Sequence, residues 1–246
     1  MNLNHPAAVQ IPQLRRLWQE AFGDSDAALD CFFQAAYAPE RCLCITDAGN
    51  VVAAAYWFSC GEYAYIYAVA TAKNHRGQGL CHKLMDAIHT LLTRQGYAGA
   101  MVVPGEESLR RFYAGMGYAN FGGIREFSCQ AASTPEALRQ LRAAEFSAMR
   151  RQYLPAGAVV QEGENLAYLQ TYAQFYAGKD FLLTVLQDGK VLQGLELLGN
   201  ADAAAGILAA LGANSGTFRT PGDTPFAMYK PLHSKKQPTY FGFAFD

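Results

Sequence analysis

Three observations in the sequence predict an α/β protein. An apolar run, Tyr65-Ile66-Tyr67-Ala68-Val69-Ala70, leads through Lys73-Asn74-His75-Arg76-Gly77-Gln78-Gly79 into a second kind of pattern. There Leu80, Leu84, Ile88, Leu91 and Leu92 recur at helical spacing, with Gly96 after them as a C′ residue. A further apolar run, Ala98 to Val103, is followed by helical spacing again at Leu109, Phe112, Tyr113 and Met116. Strands that alternate with helices in this way build a sheet covered by helices. With 246 residues, half of them apolar, the chain is long enough for one large domain or two small ones.

Taken in order, the first strands are Arg41 to Asp47 and Val51 to Ser59, joined at Ala48-Gly49-Asn50, a turn of the expected chemistry. Along the next strand, period-2 alternation puts Tyr63, Tyr65, Tyr67 and Val69 on one face. Ala64, Ile66, Ala68 and Ala70 fall on the other, where small side chains suit a helix packed close behind. The tyrosine stripe is either a packed sheet face or the wall of a pocket for an aromatic or cationic substrate. Gly77 and Gly79 then allow positive φ and close approach of a ligand to the backbone. A helix that starts there offers unpaired N–H groups and about half a positive charge, which suits an anion.

Charge agrees with that reading. No Asp or Glu occurs between Glu62 and Asp86, while Lys73, His75, Arg76, His82 and Lys83 all lie in that window of a chain whose net charge is −1. The stretch is thus a phosphate cradle in outline. A P-loop is excluded, because G-x-x-x-x-G-K-[ST] occurs nowhere. A dinucleotide fingerprint is a weak match, because His82 stands where the third glycine belongs and no convincing ribose-binding acid follows Val102-Val103-Pro104, which leaves a Rossmann-type nucleotide binder as a remote third reading.

The six residues Arg76-Gly77-Gln78-Gly79-Leu80-Cys81 resemble the [QR]-x-x-G-x-[GA] signature of the GNAT superfamily, the acyl-CoA-dependent N-acyltransferases, with Cys81 departing from Gly or Ala. Tyr113-Ala114-Gly115-Met116-Gly117-Tyr118 resembles the family's Y-x-x-x-G-[FY] element. Upstream, Leu17-Trp18-Gln19-Glu20-Ala21-Phe22-Gly23-Asp24, Phe32-Phe33 and Tyr37-Ala38-Pro39-Glu40 resemble the two helices that open one bacterial branch. The resemblance spans residues 1 to 130 and implies the GNAT fold, a mixed, mostly antiparallel sheet with a splayed parallel pair, flanked by helices. It implies acetyl-CoA as cosubstrate, held by Arg76, Gly77, Gln78, Gly79, Leu80 and Cys81, with Val69 and Ala70 along the pantetheine arm. It implies direct transfer of an acetyl group to a primary amine, on a small molecule or a peptide, with Tyr113 protonating the departing thiolate. For the base, Glu62 is the carboxylate nearest the strand, although of opposite parity to the tyrosines. Glu106 and Glu107 are alternatives, and acids there also complement a helix start. A catalytically silent acyl-CoA-binding or interaction module is the competing reading, motivated by Cys81 and by the lack of a Glu on the tyrosine face.

The pattern changes after Cys129, so residues 131 to 246 are expected to form a second α/β domain. It should open with a helix from Ser133-Thr134-Pro135-Glu136 through Leu138, Leu141 and Phe146. A strand (158 to 161), a helix (165 to 176), a hairpin around Asp188-Gly189 and a short helix (202 to 211) come next. Strands near 216 to 219, 226 to 230 and 240 to 245 complete it. The order echoes the first half, with Gly199-Asn200 ahead of the short helix but no Arg or Lys beside it. This half reads as a degenerate GNAT-like repeat that completes the sheet or walls the substrate cleft. The first half is short of strands after Tyr118, having only Ile124 to Gln130, which makes a shared sheet plausible. Cys31, Cys42, Cys44, Cys60, Cys81 and Cys129 show no C-x-x-C pair or zinc spacing, so no metal is expected. No secretory or membrane-spanning run is present and no basic arm, which points to a cytoplasmic protein with neither membrane nor nucleic acid as partner.

Overall fold

The structure, a computed structural model, describes residues 1–233 and 237–245. The chain divides into two compact units, Met1–Ala119 with Met228–Gln237 and Asn120–Ala227 with Pro238–Asp246. The first opens with strand β1 (Asn2–Asn4) and helices α1 (Ile11–Phe22) and α2 (Asp26–Ala35). Gly23 ends α1 in the left-handed region, and Ser25 caps α2 by accepting from Ala28 N at 3.2 Å. Strands β2 (Cys42–Asp47), β3 (Asn50–Cys60) and β4 (Tyr63–Thr71) form an antiparallel meander. Helix α3 (Leu80–Arg94) then leads to β5 (Gly99–Val102), parallel to β4, and α4 (Glu107–Ala114) follows.

Alternation along β3 and β4 decides which helices take which face. Leu84, Met85, Ile88 and Leu92 of α3 are fully buried against a core that includes Ala53, Ala55, Trp57, Ala64 and Ile66. Each such side chain contributes roughly 2 kcal/mol of burial. The opposite face presents Tyr56, Phe58, Tyr65 and Tyr67, with ring contacts to Trp18 of α1 and Phe32 of α2 at 4.7 to 6.1 Å among this group. The tyrosine stripe is therefore largely a packed face.

The second unit contains β6 (Ala119–Gln130), β7 (Arg139–Leu141), α5 (Ala143–Tyr153), α6 (Glu164–Leu169), β8 (Gln174–Ala177), β9 (Phe181–Asp188), β10 (Val191–Gly199), α7 (Ala204–Ala210) and β11 (Ser215–Pro221). Its core joins Phe181, Leu183, Leu197, Ile207, Leu208 and Phe218. The last strand, β12 (Thr224–Pro231), pairs with β5 from Met228 to Pro231 and so belongs there to the first unit. The chain thus passes between the units at residues 119/120, 227/228 and 237/238, whereas the sequence placed one cut at 130, at the far end of β6.

Strand order is the same in both units. It is β1-β2-β3-β4-β5-β12 in the first and β7-β8-β9-β10-β11-β6 in the second. In each, the first four strands are antiparallel neighbours, the fifth is parallel to the fourth across an intervening helix, and the sixth is antiparallel to the fifth. The fourth strand also carries a register irregularity near its middle in both, opposite Ala54/Tyr56 in β4 and at Gly194/Glu196 in β10.

Several local expectations give way to tertiary pairing. Ser133-Thr134-Pro135-Glu136 starts no helix, because Glu136 N donates to Gly206 O and Arg139–Leu141 joins β8 as a strand. The helix expected to reach 176 stops at Leu169, and β8 begins at Gln174. Residues 158–161 and 240–245 are not strands. They tie to each other through Val159 N to Tyr240 O at 2.8 Å and Phe243 N to Gln161 Oε1 at 3.0 Å. Among the described residues, no helix is long and apolar enough to cross a membrane.

Candidate functional site

Parallel pairing of β4 with β5 covers only Tyr63–Tyr65 against Gly99–Met101, so the two strands part beyond Tyr65. Within the open stretch β4 bulges. Ala54 faces Ala70 and Tyr56 faces Tyr67, so two steps on β3 match three on β4. Ala68 absorbs the extra residue at φ 49°, a left-handed conformation that costs a non-glycine residue about 1 kcal/mol or more. A bulge leaves backbone groups outside the ladder, free for another partner. It also resets the alternation. Val69, expected beside the tyrosines, packs half-buried against the α3-side core instead.

Beyond β4 the chain turns through Lys73–His75 into the glycine turn. Gly77 (φ 75°) and Gly79 (φ 74°) are both left-handed, and no atom lies within 4 Å of where a Cβ would sit on either. The glycines meet a backbone requirement, and the space beside them is open. Gly79 is the N-cap of the 15-residue α3 and offers no side-chain cap, with no acid in the first turn. The first N–H groups of α3 therefore lack helical partners. Arg76 is held at the turn by Nε donating to Thr71 O at 3.1 Å, and Gln78 Nε2 reaches Asn74 O at 3.5 Å. Lys73 N donates to Glu20 Oε1 at 2.6 Å, and His75 lies 3.6 Å from Asp47.

Leu80 anchors the start of α3 in the core, and the half-buried Cys81 packs beside it. Burial pushes the Cys81 thiol up to about 11, so it stays protonated and is a poor nucleophile at neutral pH. Tyr113 of α4 is buried in the same core, its ring 5.5 Å from Phe112 and 5.7 Å from Tyr118. Its pKa is raised by burial first and by Cys81 second, which keeps the phenol in its proton-donating form. Behind it, Tyr118 Oη shares a 2.7 Å hydrogen bond with His89 Nε2, and Lys230 Nζ donates to Met116 O at 2.5 Å. Burial, with Lys230 as the second cause, pushes His89 down to about 4.

The structure thus brings Leu80, Cys81, Val69 and Tyr113 to one core, with the glycine turn directly ahead of Leu80 and Ala70 next to the bulge. Glu62 does not join them. It sits in the β3–β4 turn at the paired end of the two strands, six residues or about 20 Å of strand from Ala68. There it accepts the Tyr63 hydroxyl, and burial, with Glu62 second, pushes that phenol up to about 12. Glu106, beside the N-terminus of α4, accepts from Ser108 Oγ, and Glu107 lies 4.0 Å from Arg110. Sequence reasoning missed Ala68, since a bulge is a matter of register between strands and leaves no mark in a run of small residues. His89 and Lys230 escaped it too, although the Y-x-x-x-G-[FY] element already singled out Tyr118.

Residues 5–121 match a family model described as an acetyltransferase (GNAT) domain. Among solved structures, a GCN5-related N-acetyltransferase from Anabaena variabilis superposes with a TM-score of 0.75 at 14% identity, over 94% of this chain and 72% of that one. One from Kribbella flavida gives 0.70 at 20% identity over the same 94% and 72%. One from Sphaerobacter thermophilus gives 0.59 at 13% identity, over 99% and 98%. These likenesses establish the fold. No curated protein matches the chain.

Proposed function

We propose that this chain, whose residues 5–121 are a GNAT acetyltransferase domain, transfers an acetyl group from acetyl-CoA to a primary amine, on a small molecule or a peptide, by direct attack in a ternary complex. The observation that carries the reading is the pairing of two features on one strand. β4 bulges at Ala68 where it parts from β5, and it then runs into an uncapped, glycine-led helix start. The bulge suits a pantetheine amide beside Val69 and Ala70, and the turn suits a pyrophosphate on the N–H groups of Gln78 to Cys81 with Arg76 adding charge.

Tyr113 then serves as the acid. Buried and protonated, it gives its proton to the departing thiolate. An acceptor amine with an ordinary pKa of about 10.4 must lose a proton before or during attack. Glu62 lies too far along β4 for that, so water takes the proton in this scheme. No covalent intermediate is involved, in keeping with the protonated Cys81. The second unit repeats the strand order and the bulge without the cradle, and we take it as a degenerate GNAT-like repeat. Its bulge is followed at once by Glu196, buried and paired with Arg150.

A silent acyl-CoA-binding module remains the second reading, favoured by Cys81 where the family pattern has Gly or Ala. Calorimetric titration of acetyl-CoA tests the cradle, with an Arg76→Ala, Gly79→Trp variant as control. Saturable binding that the variant loses supports it, and no binding to the wild type refutes it. Tyr113→Phe separates the two readings. An enzyme of this kind loses about 100-fold in kcat with acetyl-CoA affinity retained, whereas a silent module shows no acetyl transfer to any amine before the change or after it.

A further inference from the structure

At the end of β4 remote from the glycine turn, the β3–β4 turn, the segment ahead of β2 and the end of α3 border an open depression of about 500 Å³. That is the size of a small-molecule site. Its electrostatics lean one way. Glu40 enters from the segment before β2 and Glu62 from the turn. Gln95 and Gly96 bring the carboxyl end of the 15-residue α3 to the wall, its partial negative charge offset in part by Arg94 of the last turn and by the His233 bond to Thr93 O. Trp57 lines the wall but is 3% exposed, most of its ring lying in the core under α3, so it reports on the site more than it shapes it. Among the lining residues the one permanent cation is Arg41, whose guanidinium donates to Ala36 O at 3.3 Å.

We propose that this depression binds small organic ammonium ions at a site separate from the acyl-donor cleft. Two carboxylates outweigh the single lining guanidinium, and a depression of this volume suits an organic ammonium better than a bare metal ion. Glu62, which sequence reasoning offered as a catalytic base, acquires its role here. The site uses neither Ala68, the glycine turn nor Tyr113, so it stands or falls independently of the acyl-transfer reading.

Nitrogen–proton NMR on the full chain can read it, because the only tryptophans are Trp18 and Trp57. A Trp18→Phe variant assigns the two indole signals. With 1,4-diaminobutane as probe, the Trp57 signal should shift saturably while Trp18 stays in place, and butanol should leave both unmoved. A Glu40→Gln, Glu62→Gln double variant, with the rest of its spectrum unchanged, should weaken the interaction by about tenfold or more. No saturation below about 10 mM, an equal response to butanol, or an unchanged midpoint in the double variant would overturn the proposal. So would displacement of the diamine by acetyl-CoA, which would put the amine in the other cleft.

Discussion

Ala68 holds a backbone conformation that most residues avoid, and the register of β3 and β4 imposes it. Glycine would adopt the same φ freely but would lose more entropy on folding. Ala68→Gly is therefore expected to leave stability within about 1 kcal/mol of wild type, and Ala68→Val to cost about 2 kcal/mol, since β-branched residues fit φ > 0 worst. Urea unfolding of the two variants checks this, and equal midpoints would mean that the bulge relaxes away. His89 sets a pH dependence with a definite sign. An unfolded chain takes up the proton near 6.5 and the folded one only near 4, so the contribution is complete above 6.5 and is lost as pH falls towards 4. The full effect is about 3 kcal/mol. Replacing both hydrogen-bonding partners, as His89→Phe with Tyr118→Phe, should flatten the acid limb of the stability curve between those values. An unchanged limb would assign the acid sensitivity to other groups.

Between elements, the second unit carries a buried ion pair. Arg150 of α5 donates to Glu196 of β10 through Nε at 2.6 Å and a terminal nitrogen at 2.8 Å, and Tyr240 Oη adds a bond at 3.0 Å. Both charged groups are about 98% buried, and the guanidinium lies 4.3 Å from the centre of the Phe243 ring. Gly242 fits only because it has no Cβ, which would run into the Glu196 carboxylate. Arg150→Met strands that carboxylate and is expected to cost about 3 to 5 kcal/mol, while Arg150→Met with Glu196→Leu should recover most of the loss. A double variant no better than the single one would show that the pair is held for more than its charge balance. This link also marks how far the sequence could be read. Gly77, Gly79 and the Leu80-to-Leu92 stripe announced the turn and α3, because glycine conformation and helical period are local. The Val69 face, the Pro135 region and the 165–176 helix went otherwise, because a bulge, the Glu136–Gly206 bond and β8 pairing are each settled by residues far away in the chain.

At the scale of the whole molecule, the first unit is incomplete without the end of the chain. Met228 and Tyr229 of β12 are 2% and 3% exposed, Met228 sits in the same core as Tyr113, and Lys230 tethers the carbonyl of Met116 just beyond α4. The sequence hinted at this by offering too few strands after Tyr118, but nothing local says which distant strand fills the gap. A fragment cut at residue 130, where composition suggested a boundary, would expose the edge of β5 and leave Gly99 without the Tyr229 ring that packs where a Cβ would be. It would also keep β6 while losing β11, the strand whose full length pairs with it. Residues 1–130 alone are thus expected to unfold without a cooperative transition and to expose apolar surface to a dye such as ANS. Joining residues 1–119 through a flexible linker to 224–233 supplies β12 to β5 and removes the orphaned β6, and it should restore a cooperative transition. If the 1–130 fragment instead melted as sharply as the intact chain, the returning strand would be dispensable and the first unit would fold on its N-terminal residues alone.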